Sequence, residues 1–105
     1  MAQFTVYRNK NARTKNTYPY LVDVQSELLA NLQTRVVVPL TRLTTQGKKP
    51  IKDLTPVVEI EGDKYLMLVP QLAGIATSEL GQPVTMIGNY RDEIVAALDF
   101  LITGV

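Results

Sequence analysis

The chain has 105 residues, 46% of them hydrophobic and 20% charged, with a net charge of +1, six glycines, no cysteine and no histidine. That length suits one domain spanning 1–105 around a single core. The missing Cys and His remove disulfides, thiolate chemistry, the usual neutral-pH general base and the commonest zinc ligands, so no metal or cofactor is implied and any catalysis must rest on Asp, Glu, Lys, Arg or Tyr.

In chain order, Gln3 to Tyr7 alternates with Phe4 and Val6 on one face, which predicts a strand. Arg8 to Thr17 carries four basic residues and no acidic one, and reads as a long solvated loop. Tyr18 to Gln25 alternates again, with Tyr20, Val22 and Val24 opposite Leu21, Asp23 and Gln25; the pattern predicts a strand with one buried face. Ser26 to Leu32 follows as a turn that Ser26 can cap. Thr34 to Leu40 is β-branched and apolar on both faces, so a central strand is expected, with Pro39 at its end or at a bulge.

Thr41 to Asp53 is a second basic, turn-rich loop. Pro56–Glu61 and Lys64–Val69 flank Gly62-Asp63, a connection with Gly first that favours a type II′ hairpin. Gln71 to Ile87, broken by Gly74, Gly81 and Pro83, predicts short strands or turns. A final helix is expected with Asn89 as N-cap and Asp92 and Glu93 in its first turn. Tyr90, Ile94, Ala97, Leu98, Leu101 and Val105 recur at helical spacing as one buried stripe. Phe100 falls outside that stripe, beside Ala96 and Glu93, and can bury only against another loop or a second copy of the chain. The expected fold is mainly β: an antiparallel sheet or open barrel covered by one C-terminal helix.

Charge is unevenly divided. Residues 1–52 hold nine basic and two acidic residues, whereas residues 53–105 hold two and eight. Such asymmetry marks either an acidic partner or nucleic acid, or two halves that interleave and neutralise each other in one fold. No apolar run approaches the ~18 residues of a membrane span, and Met1–Val6 lacks the form of an export signal, so a cytoplasmic protein with no membrane partner is expected. The glycines are too scattered for a phosphate-binding loop.

Several segments, in order, resemble the CcdB family of bacterial toxins: Gln3–Tyr7, Val22–Ser26, Arg35-Val-Val-Val-Pro-Leu40, Leu54–Val58, Ile94–Leu98 and the Gly-aliphatic end. The resemblance covers nearly the whole chain. It implies an SH3-like barrel with a C-terminal helix and a homodimeric, non-enzymatic toxin of a toxin–antitoxin module. Such a toxin binds the DNA gyrase A subunit and traps its cleaved DNA complex. A cognate antitoxin neutralises it, and the pair together binds operator DNA. The family's gyrase-contacting positions correspond to Leu28, Leu29, Asp99, Ile102, Thr103, Gly104 and Val105. Thr103 stands where the best-known members carry a Trp stacked on a gyrase arginine. Phe100 and Leu101 are the expected dimer-interface residues, and Arg8, Lys10, Arg13 and Lys15 the expected antitoxin surface, through charge complementarity to an acidic segment. An endoribonuclease on the same barrel, using Arg13 or Arg42, is the alternative.

Overall fold

The computed structural model describes residues 2–29, 31–44 and 49–104. Among them are seven strands, β1 (Thr5–Asn9), β2 (Tyr20–Asp23), β3 (Thr34–Arg42), β4 (Val57–Ile60), β5 (Asp63–Met67), β6 (Ala73–Ala76) and β7 (Leu80–Met86), then helix α1 (Arg91–Thr103). The pairing order is β4-β5-β3-β2-β1-β7, with every pair antiparallel and β6 added to β3. The sheet curls into a half-barrel whose end strands β4 and β7 do not pair. Across the opening the Glu59 N–H donates to the Tyr90 hydroxyl at 3.2 Å. The fold class read from composition and patterning is the one observed.

β3 is the central strand, as its two-sided apolar run requires. Along one edge it pairs with β2; along the other it pairs first with β6 (Thr34–Val37) and then with β5 (Leu40–Arg42). Pro39 lies inside the strand rather than at its end. It sits where the partner changes from β6 to β5, so its missing N–H leaves no ladder bond unmade, while its carbonyl accepts from Leu68 N–H at 2.9 Å.

One face of the sheet packs on α1. Phe4, Val6, Val22, Val38, Leu40, Ile60, Met67 and Ile87 form a continuous core with Ile94 and Ala97 of the helix. The other face carries a smaller cluster, Tyr7, Val37 and Leu80, with Leu21 and Ile75 packed against it. β2 therefore has two buried faces, not one. On the second face Asp23 and Arg35 are fully buried and paired in two-pronged fashion, Arg35 Nε to Oδ2 at 2.8 Å and Nη2 to Oδ1 at 3.0 Å. Burial, reinforced by the nearby Asp23 carboxylate, pushes the Tyr7 phenol above its ordinary value of 10.0, against the opposing influence of the Thr5 side chain and the Arg35 charge.

Four local expectations change. β1 begins at Thr5, because Phe4 takes a φ of 67° that turns its ring into the core, under the Arg91 guanidinium at 5.7 Å. The β4–β5 hairpin turns on Glu61-Gly62, closed by the Ile60–Asp63 pair, with φ of 51° and 88°; both central residues are left-handed, which is type I′. Asn89 does not cap α1: it lies in a short 3-10 turn, Gly88–Tyr90, and the Arg91 N–H bonds the Gly88 carbonyl instead. Lastly, the buried stripe of α1 ends early. Ile94 and Ala97 are buried and Leu98 partly so, but Leu101 is 37% exposed and not part of the core cluster, so the core contact of α1 stops at Leu98 among the described residues; Val105 lies outside them.

The buried pair makes a direct prediction. Arg35→Met strands the Asp23 carboxylate and is expected to cost about 3–5 kcal/mol in urea unfolding, whereas Asp23→Leu with Arg35→Met should recover most of that loss.

Candidate partner-binding surfaces

The first surface is the end of α1. Among the described residues the helix runs to Thr103 and stops at Gly104, whose φ of 74° and ψ of 16° place it in the left-handed region; its N–H bonds the Phe100 carbonyl at 3.0 Å. The last turn is apolar and open: Phe100 is 41% and Ile102 75% exposed. Asp99 is exposed beside them, and the Thr103 hydroxyl donates to the Asp99 carbonyl at 2.6 Å, which commits its proton to the helix. Nearer the helix start, Asp92, Glu93 and Ala96, all exposed, line a cleft of about 400 Å³ with residues of the 50–56 loop, on the phase on which Phe100 lies one turn later.

The second surface is the turn after β2. A 3-10 turn, Glu27–Leu29, presents Leu28 at 93% exposure, with Leu29 half exposed beside it. Ser26 caps the turn as expected, its hydroxyl accepting the Leu28 N–H at 3.2 Å. From the interior, Gln25 Nε2 donates to the Leu29 carbonyl at 3.0 Å, and Arg35 Nη1 reaches the same oxygen at 3.5 Å. From the solvent side the Glu27 carboxylate accepts from Gln3 N–H at 3.3 Å, and the Gln3 side chain accepts from Arg91 at 3.3 Å. These bonds tie the leucine turn to the start of α1. The apolar end of α1 is about 18 Å further along the helix axis, so these hydrogen bonds do not reach it.

A third, basic surface surrounds the β1–β2 connection. Asn9 Nδ2 bonds Tyr18 O at 2.8 Å and Thr14 Oγ1 at 3.0 Å, and Asn11 Oδ1 accepts Arg13 N–H at 2.9 Å, so side-chain amides shape the loop. Arg8, Lys10, Arg13 and Lys15 are all exposed, and neither ion pair among the described residues includes them. Lys10 donates to the Ser78 carbonyl at 2.9 Å. A cleft of about 430 Å³ is lined by Arg8, Lys10 and Lys15 together with Leu80, Gly81 and Gln82, and no acidic residue lines it. The second basic stretch comes to the same rim in part: Arg8 lies over Tyr20 at 5.9 Å, Tyr20 meets Tyr65 edge-on at 5.3 Å, and Arg42 lies over Tyr65 at 5.5 Å. Residues 45–48 of that stretch lie outside the described residues.

Patterning alone misses Gln25 and Arg35, which hold the leucine turn from within. Their signal was the parity of Asp23, Gln25 and Arg35, three polar residues on one face of two apolar segments. Among the described residues no cluster of three or more Asp or Glu is arranged to hold a metal ion, and no helix is long and apolar enough to cross a membrane.

Gly104→Ala forces a β-carbon into the left-handed region and is expected to cost about 1 kcal/mol, read as faster amide exchange at Thr103 and Gly104; unchanged exchange would show that the glycine does not hold the helix end. A family model described as CcdB protein matches residues 3–104.

Proposed function

The chain belongs to the CcdB family, and on that premise we propose that it is the non-catalytic toxin of a toxin–antitoxin module that binds the DNA gyrase A subunit and traps the gyrase–DNA cleavage complex. The observation that carries this reading is apolar side chains held in solvent at the positions the family uses for contact: Leu28 and Leu29 on the capped turn, and Ile102 in the last turn of α1. Large apolar groups gain nothing from water, and a surface that keeps them exposed and oriented is suited to a protein partner. Asp99, Thr103 and Gly104 complete the surface, and Val105 is assigned to it from the family pattern.

Thr103 replaces an aromatic anchor with a short side chain whose hydroxyl is already bonded within the helix. Affinity then rests on Ile102, the leucine pair and the residues after Thr103. Phe100 and Leu101, exposed in the last turns of α1, are assigned to a homodimer interface. The basic loop with Arg8, Lys10, Arg13 and Lys15 is assigned to an acidic, extended antitoxin segment, and operator DNA to the toxin–antitoxin complex.

Two experiments test the reading. A supercoiling assay should show inhibition by the full chain and its loss on removal of Gly104 and Val105; Thr103→Trp should tighten binding to gyrase A roughly 2- to 30-fold, the range of a cation–π contact. Undiminished inhibition by the shortened chain would remove the tail from the site. Exchange of Arg8, Lys10, Arg13 and Lys15 for neutral residues should slow antitoxin association about tenfold or more at low salt and little at high salt; equal rates would remove the basic loop from the antitoxin surface.

A further inference from the structure

We propose that Gln25 is a positioning residue for gyrase binding, its side-chain amide setting the direction in which Leu28 and Leu29 leave the protein; the inference rests on the reading that these leucines contact gyrase. The amide is divided between two elements. Its Oε1 accepts the Val36 N–H of β3 at 3.0 Å, and its Nε2 donates to the Leu29 carbonyl at 3.0 Å. Only this orientation satisfies both partners, one a donor and the other an acceptor.

Gln25 is itself held at both backbone groups. Its N–H donates to Asp23 Oδ1 at 3.0 Å, and its carbonyl accepts from Arg35 Nη2 at 3.3 Å. The Leu29 carbonyl gathers three donors: Gln25 Nε2, the Leu32 N–H at 3.2 Å and Arg35 Nη1 at 3.5 Å. A three-residue 3-10 turn has too few bonds to hold itself. The fully buried ion pair thus anchors Gln25, and Gln25 anchors the turn. The bond to Val36 serves the sheet, whereas the bond to Leu29 serves only the turn and its exposed leucines. Holding them before contact removes part of the ordering cost at binding.

Gln25→Glu keeps the acceptor for Val36 and removes the donor to Leu29. It is combined in a cycle with Leu28→Ala/Leu29→Ala, reading affinity for a gyrase A dimerisation-region fragment and, in the free protein, amide exchange at Leu28, Leu29 and Leu32. The expected result is a loss of about 5- to 10-fold in affinity with the leucines present and under about twofold without them. Exchange at the three turn amides should rise about tenfold or more, with β3 amides unchanged. Equal losses in both backgrounds, or unchanged turn exchange, would overturn the proposal. If Gln25→Glu does not fold, Gln25→Met replaces it in the same cycle, judged by the affinity losses and the turn amides alone, because it also removes the acceptor of the Val36 N–H. If the parent chain does not bind gyrase A, the functional reading falls, and the exchange measurement alone decides whether Gln25 holds the turn.

Discussion

The buried pairing of Asp23 with Arg35 is the constraint on which the rest of the structure depends. Both side chains are fully buried, and the guanidinium spends its donors on the Asp23 carboxylate, the Gln25 carbonyl and the Leu29 carbonyl. Among the described residues no buried side-chain nitrogen or oxygen lacks a partner. A buried ion pair recovers little net stability over an apolar replacement, because desolvation offsets most of its attraction. Its value here is register. A one-residue slip of β2 against β3 would turn Asp23 toward the helix-packed face, among Val6, Val22 and Val38, with no counter-charge. The pair therefore fixes which face of the sheet receives α1.

From that choice the surfaces follow. The helix-packed face takes the large core and leaves the last turn of α1 beyond it, with Phe100, Leu101 and Ile102 in solvent. The opposite face carries the pair, and the pair reaches outward through Gln25 to the leucine turn. Basic residues collect at another rim, where Arg8 and Arg42 lie over two tyrosines that meet edge-on. Apolar and cationic residues thus lie on different surfaces, the arrangement on which the proposed assignment to two different partners rests.

Much of this was legible in the chain. The two-sided apolar run of β3, the alternation of β1 and β2, and the 3.6-residue spacing of Ile94, Ala97 and Leu98 each follow from a period that burial imposes. Other features depend on contacts between residues distant in sequence. Asp23 and Arg35 look like ordinary surface charges until β2 and β3 pair. The hairpin turn is displaced by one residue because the Ile60–Asp63 pair closes it and places Glu61 in the left-handed region ahead of Gly62. Leu101 obeys helical phase, but phase cannot show that the core contact of α1 stops at Leu98. The assignment of Leu28, Leu29 and Ile102 to a contact surface rests on family resemblance, because patterning shows only that they are apolar; the role proposed for Gln25 rests on the hydrogen bonds themselves.

The gyrase-contacting surface proposed for this CcdB-family chain comprises two apolar displays, the turn at Leu28-Leu29 and the end of α1. Backbone chemical-shift mapping with a gyrase A dimerisation-region fragment tests it most directly. Perturbations are expected to concentrate at Ser26–Leu29 and at Asp99–Gly104, with Arg8–Lys15 little changed. Perturbations confined to Arg8–Lys15, or none at saturating fragment, would contradict it.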